Sequence, residues 1–312
     1  MLSVCIPVFN SNVEQLVKTL YFQKSKLKHI VEIIIIDDAS ELSYKEQNRK
    51  LGKYIDRYVE LDENIGRARI RNLFLNYATK PNLLFIDSDS YIDNSDFLGS
   101  YIDILKKGDV AVIVGGSIYS DRRPEKNRVL RWRYGLKVES KSAEIRNVNP
   151  YMSFKTNNVL MPVEVLRDTP FENSLKGYGH EDTLMGYELK KANVGIVHID
   201  NGVINEDLDT NEEFLLKSAE AVKSLYKVLD IVNGDTEFIN DIRLLVAVRK
   251  LHRVKLQTPV YLTLKLTLPL IKFYMLKIWP GLFLFNLYKL YYALKYSMNR
   301  DFQGYFTAKT GL

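Results

Sequence analysis

The sequence predicts an α/β fold: a mostly parallel, doubly wound sheet with flanking helices, followed by a helical, basic and apolar extension. Three observations predict it. Apolar runs of strand length alternate with segments of helical period through roughly the first two hundred residues. The runs Glu32 to Ile36 and Leu83 to Ile86 are continuously apolar after their first residues, as expected of parallel strands covered on both faces. The composition then changes beyond residue 241.

In order, Val4 to Val8 reads as the first strand, ended by Pro7 and Asn10. Asn12 to Gln23 places Val13, Leu16, Val17 and Leu20 on one helical face. Glu32 to Ile36 is a buried strand that stops at Asp37-Asp38, and Tyr54 to Leu61 is a weaker one. Arg67 to Ala78 is helical, with Ile70, Leu73, Phe74 and Tyr77 at core spacing. Leu83 to Ile86 and Val110 to Val114 are further strands, the latter followed by Gly115-Gly116. The pattern fades between 117 and 157, which reads as a long loop region over the active face. Val194 to Ile199 is one more strand. Thr210-Asn211-Glu212-Glu213 is a capping-box sequence that opens a helix closed near Gly234.

The net charge of +6 hides a division. Residues 242–312 hold 12 Lys and Arg against one acid, Asp301, and carry +11. Residues 1–241 hold 32 against 37 and carry −5. A mildly acidic body with a basic, apolar tail suits a catalytic body that docks on a surface, and argues against nucleic acid as the main partner. Pro259, Pro269 and Pro280 cut the tail, and no apolar run in it reaches the roughly 20 residues of a spanning helix. Short apolar helices with interspersed lysines suit an anionic membrane interface; the other reading is a helical subdomain packed on the body. The single cysteine, Cys5, allows no disulfide within one chain, and the first residues read as a strand rather than a signal peptide.

Candidate chemistry begins at Asp87-Ser88-Asp89, directly after a buried strand. Residues i and i+2 of an extended chain face one side, so both carboxylates can meet one hard divalent cation, Mn²⁺ or Mg²⁺, which in turn holds a diphosphate. Asp37-Asp38-Ala39-Ser40 ends another strand, where a carboxylate can accept from a base or a ribose, or cap a turn. In Asn64 to Asn72, Gly66 opens a helix that carries Arg67 and Arg71 on one face, as a diphosphate site or as a solvated basic face. Gly177-Tyr178-Gly179-His180-Glu181-Asp182 packs an aromatic ring, an imidazole and two carboxylates into a tight loop; one carboxylate can serve as general base. His198, at a strand end, is a candidate third metal ligand.

These segments, together with Ile6-Pro7-Val8-Phe9-Asn10, occur in the order found in family 2 glycosyltransferases of the GT-A fold, which residues 1–210 resemble. The resemblance implies a Rossmann-like catalytic domain over 1–210; the composition of the rest makes 211–312 a C-terminal helical region. It implies an inverting transfer from a nucleotide-sugar, a UDP-sugar, with Mn²⁺ or Mg²⁺ as cofactor; the basic, apolar tail suggests that the acceptor is a glycan or lipid-linked glycan for surface polysaccharide. Pro7, Asp37, Asp38, Gly66, Arg71, Asp87, Asn157 and Asn158 would line the donor, with Asn157-Asn158 beside the sugar. Asp89 would be the chief metal ligand, joined by Asp87 and His198. Asp182 would be the base, with Glu181, Tyr178 and His180 at the acceptor. Tyr178 replaces a tryptophan common in the family, and Asn205 stands where some members carry a second histidine. The implied location is cytoplasmic, peripheral on the inner membrane face. A D-x-D phosphatase or a receiver module would need its acids after the first strand; a non-catalytic sugar-nucleotide or membrane-surface binding protein is the remaining alternative.

Overall fold

The computed structural model describes residues 1–27, 30–108, 112–175, 177–205 and 207–307. The chain divides into two compact units. The first holds Met1–Asp121, Gly135–Ser174 and Glu181–Asp207; the second holds Arg122–Tyr134, Leu175–His180 and Leu208–Leu312. The last boundary lies between Asp207 and Leu208, and two earlier segments go with the C-terminal unit.

In the first unit, β1 (Leu2–Val8), α1 (Glu14–Ser25), β2 (Val31–Asp37), α2 (Leu42–Arg49), β3 (Arg57–Glu60), α3 (Arg67–Leu73) and β4 (Asn82–Ile86) follow the expected alternation. Next come β5 (Ser90–Tyr91), α4 (Phe97–Lys107), β6 (Val112–Val114) and β7 (Ser117–Ile118). After α5 (Val129–Tyr134), which belongs to the second unit, come α6 (Ala143–Val148), β8 (Asn158–Pro162), α7 (Val163–Asp168), α8 (Glu181–Lys191), β9 (Ile196–His198) and β10 (Val203–Asn205).

Among the described residues, one sheet has the order β3-β2-β1-β4-β8-β6-β9 and a smaller one the order β5-β10-β7. In the large sheet only β8 runs antiparallel to its neighbours β4 and β6. Successive residues of β1 and β2 point to opposite faces. Leu2, Val4, Ile6, Ile33 and Ile35 join a core with α1 and α4, while Cys5, Ile34 and Ile36 join another with α3, α7 and α8. Both faces are covered, which explains the continuous apolar runs.

The structure departs from the sequence reading at several points. Strand β1 continues through Pro7, which pairs with Ile36 of β2. Pairing with β4 ends at Cys5↔Phe85, so the missing N–H of Pro7 leaves no bond unmade on that open side. The segment 117–157 is not a loop: it holds β7, α5, α6 and a π-helical turn at Gly135–Glu139. Strand β8 was not foreseen; it opens on asparagine and ends on proline, which disguises it. Of the strand expected at Val110 to Val114, Val112–Val114 is observed, and Val110 and Ala111 lie outside the described residues. At the end of β6, Gly116 has φ +89°, and a Cβ there would lie 2.6 Å from Nη2 of Arg146, so only glycine fits.

The second unit is helical: α5, α9 (Asn211–Ile231), α10 (Thr236–Asp241), α11 (Arg243–Arg253), α12 (Gln257–Phe273), α13 (Leu282–Ser297) and α14 (Arg300–Thr307). Thr210 Oγ1 accepts from the Glu213 N–H at 3.2 Å, and Glu213 accepts from the Thr210 N–H at 2.8 Å, the expected capping box. Gly234, at φ +65°, donates to the Leu229 carbonyl and closes α9. Pro269 lies inside α12, so of the three prolines only Pro280 separates helices. Tyr226 and Tyr288 are buried and donate to the carbonyls of Ala293 and Leu215, which ties α13 to α9.

Candidate active site

Parallel strands β1, β2 and β4 end at one edge of the sheet, where ligands of such folds collect. A cleft of about 430 Å³ opens there, lined among others by Pro7, Phe9, Asp38, Asn64, Gly66, Arg67, Arg71, Asp87, Asp89 and Asp207. Two strand-end loops interlock at its rim. Asn10 donates its N–H to Ser40 Oγ at 2.8 Å and accepts from the Glu41 N–H at 2.8 Å. Asn10 and Ala39 both hold positive φ, at 49° and 61°, a strained geometry that concentrates at functional sites.

The two acids after β2 have separate tasks. Asp37 is fully buried and accepts from the Ser40 N–H at 2.7 Å and the Tyr58 hydroxyl at 3.3 Å, so it holds the turn and does not line the cleft. Asp38 lines the cleft, and its two oxygens accept from the N–H groups of Ile65, at 2.7 Å, and Gly66, at 3.0 Å. It thereby fixes the start of α3, where Gly66 takes φ +85°.

Helix α3 then supplies the cations. Arg71 is buried, donates to Asp87 Oδ1 at 2.8 Å and to the Arg67 carbonyl at 3.2 Å, and leaves its Nε unpaired. Arg67 reaches into the cleft, 3.6 Å from a Glu181 oxygen. Asp89 is exposed to the open cleft. The crowding of the cleft walls, and next the charge of Asp87, push its carboxyl up to about 6.

This donor set fits a hard divalent cation. Asp87 and Asp89 supply oxygen ligands, and an acid pair that resists its own charge gains by sharing a cation. Among the described residues no group of three or more His, Cys, Asp or Glu gathers around one point. The chain thus offers carboxylates in pairs, and ligand phosphates and water would fill the rest of the shell, as Mg²⁺ favours. His198 does not join them. Its ring is buried, with Nδ1 2.8 Å from Arg146 Nη1 and Nε2 2.9 Å from the Pro150 carbonyl. Arg146 can only donate and the carbonyl only accept, so neither nitrogen has a lone pair to spare. The metal-ligand expectation for His198 is corrected on this ground.

Asn158 is likewise spent inside the sheet. Its Nδ2 donates to the carbonyls of Gly116 and Asn201, and its Oδ1 accepts from the buried Tyr101 hydroxyl at 2.6 Å. Its expected place beside the sugar is corrected accordingly. Asn157 donates to Ser117 Oγ at 2.8 Å, leaves its Oδ1 unpaired, and accepts the Asp87 N–H on its carbonyl at 3.1 Å.

Glu181 and Asp182 open α8 in the same unit as the cleft, where a helix N-terminus favours negative charge. Asp182 accepts from Thr156 Oγ1 at 2.7 Å through one oxygen, and Lys155 lies 3.7 Å from the other. Burial, and next the charge of Asp182, raise the Glu181 carboxyl. Tyr178 and His180 belong to the second unit, where Lys217 lies 5.5 Å from the Tyr178 ring centroid. His180 takes φ 70°. A Cβ on Gly179 would lie 2.9 Å from that of Ala221, which explains the glycine.

Residues 3–165, just over half of the chain, match the profile of glycosyl transferase family 2. The chain belongs to that family. No curated protein matches it in sequence. Among solved structures, S. aureus TarS 1–349 in complex with UDP superposes with a TM-score of 0.51 at 19% identity, over 72% of this chain and 64% of that one. The chain therefore spans less than two thirds of TarS 1–349. The mannosyltransferase PcManGT from Pyrobaculum calidifontis, in complex with GDP-Man and Mn²⁺, gives 0.55 at 13% identity, over 96% and 87%. Glucosyl-3-phosphoglycerate synthase from Mycobacterium tuberculosis, with Mg²⁺ and UDP, gives 0.51 at 17% identity, over 73% and 79%. At these identities the likeness establishes a common GT-A fold.

Three residues in or beside the cleft were not singled out as candidates from the sequence. Thr156 carries no motif, and only its hydroxyl contact with Asp182 reveals it. Asp207 follows β10 and lines the cleft with Asp89. Phe9, about half exposed at the end of β1, offers an aromatic face whose exposure is visible only in the fold.

Proposed function

We propose that the chain is an inverting glycosyltransferase that moves a sugar from a nucleotide-sugar, a UDP-sugar, to a glycan or lipid-linked glycan acceptor for surface polysaccharide. One observation carries the reading. The cleft presents Asp87 and Asp89 beside Arg67, and Arg67 pairs with Glu181, the neighbour of Asp182. The diphosphate half and the proton-accepting half of a displacement thus meet at one arginine.

In this reading Phe9 offers a face for the base, and Arg67 reaches the diphosphate. Asp38 and Arg71 act by position, the first holding the start of α3 and the second holding Asp87. A Mn²⁺ or Mg²⁺ ion held by Asp89 and Asp87 would neutralise charge on the departing nucleoside diphosphate. The acceptor oxygen attacks the anomeric carbon while the bond from that carbon to the diphosphate oxygen breaks. The acceptor proton passes to the Asp182 oxygen that Thr156 leaves unbonded. Tyr178, His180 and Glu181 are assigned to the acceptor.

The C-terminal region is assigned to the membrane surface that carries the acceptor, at the cytoplasmic face. Its charge supports this, and among the described residues no helix is long and apolar enough to cross a membrane.

Calorimetric titration of UDP tests the donor site. Binding is expected with Mn²⁺ and not without it, and Asp89→Ala should remove the metal-dependent part. Equal UDP affinity with and without Mn²⁺, in both proteins, would overturn the assignment.

A further inference from the structure

Helix α12 is apolar on two opposite sides, and only one of them is used. Leu264 and Ile271, with Met275 in the following π-helical turn (Tyr274–Ile278), are buried within the second unit. Leu262, Leu266, Leu270 and Phe273 recur at helical spacing on the other side, and are exposed by 50%, 81%, 70% and 57%. The exposed series goes on along the chain through Ile278, Trp279 and Phe283. Scattered exposed leucines are ordinary, but a continuous stripe of large apolar side chains marks an interaction surface.

The charges beside the stripe choose its partner. Lys265 and Lys272 are seven residues apart and share one flank of the helix, and Lys277 follows in the next turn. The Arg133 guanidinium lies 3.8 Å from the Trp279 ring centroid, so a cation and an interfacial aromatic sit together. A second copy of the chain meeting this face by two-fold symmetry would set the same cations against one another. A spanning geometry fails on length, because α12 has 17 residues with lysines inside it. A helix lying flat satisfies both features: its apolar side enters the lipid boundary while lysine stems carry their charges up to phosphates.

We infer that α12 lies in the plane of an anionic lipid bilayer, with Leu262, Leu266, Leu270 and Phe273 below the headgroups, Lys265, Lys272 and Lys277 on lipid phosphates, and Trp279 at the interface. The inference rests on the reading of a membrane-borne acceptor and specifies which face meets the membrane and what lipid it needs.

Flotation of the full chain with phosphatidylglycerol-containing and pure phosphatidylcholine vesicles tests it. The wild type should float with the former only. Leu266→Asp with Leu270→Asp should reduce the floated fraction at least about tenfold, as should Lys265→Gln with Lys272→Gln and Lys277→Gln. All these positions lie outside the cleft, so both variants should keep wild-type UDP affinity in Mn²⁺ by calorimetry. If the aspartate pair impairs folding, the glutamine variant carries the test alone. Undiminished flotation of the variants, or no flotation of the wild type, overturns the inference. So does a wild-type dimer that the aspartate pair converts to a monomer, with no vesicle binding. A wild type that floats as expected but binds no UDP with Mn²⁺ leaves the membrane face standing and sinks the glycosyltransferase reading instead.

Discussion

In the proposed mechanism Asp182 takes the acceptor proton on the oxygen that lies 3.7 Å from Lys155, while its other oxygen accepts from Thr156. Asp182→Asn should lower turnover by about 10² to 10⁴, the usual worth of a general base, while UDP affinity stays near wild type. Wild-type turnover in this variant would remove Asp182 from the mechanism. Thr156→Val should cost about tenfold to a hundredfold in kcat with KM for the donor unchanged, in line with one hydrogen bond to a charged group, and Thr156→Ser should recover most of it. If Ser fails to recover, the hydroxyl has no positioning role. Asp89 sets a pH dependence. Its carboxyl, raised to about 6 in the folded chain, holds its proton more tightly than an ordinary aspartate, which titrates at about 3.8. Between those values the folded state binds more protons than the unfolded one, so this group's contribution to stability falls as pH rises through that window. Water in the open cleft screens part of the effect. Cation binding must displace the same proton, so Mn²⁺ affinity by calorimetry should weaken progressively as pH falls below about 6. A flat affinity from pH 7 to pH 5 would refute the ligand role of Asp89.

Elements whose signals are local were legible. The capping box at Thr210 closes within four residues, and the structure contains it. Thr210→Ala should cost about 1 kcal/mol, seen as a drop of about 2–4 °C in thermal melting. No change would mean that tertiary packing alone fixes the start of α9. Elements and roles set by distant partners were not legible. His198 looks like a ligand because Arg146, its partner, lies 52 positions earlier in the sequence. Asn158 looks available because Tyr101 is 57 positions away. Strand β8 is short, and what identifies it is its pairing with β4 and β6 rather than its own residues. The acid pair of β4 was legible, since a buried apolar run followed by two acids states its place at the strand's carboxyl end.

At the scale of the whole chain, UDP with Mn²⁺ should raise stability by mass action. At about a hundredfold over Kd the gain is about 2.7 kcal/mol, readable as a thermal shift that Asp89→Ala abolishes. A shift of equal size in that variant would place the nucleotide elsewhere. The polypeptide enters β8 through Thr156 and Asn157. Thr156 holds Asp182, the proposed proton acceptor, Asn157 holds the backbone of Asp87 through its carbonyl, and Asn158 locks into the sheet opposite Ile86. Three consecutive residues therefore fix the spacing between Asp87 and Asp182, the two ends of the proposed displacement. Sliding this strand by one residue would exchange every face it presents. In the proposed mechanism, a one-residue slip here would therefore disturb the metal end and the proton-accepting end together, whereas a side-chain change elsewhere in the cleft would touch only one of them.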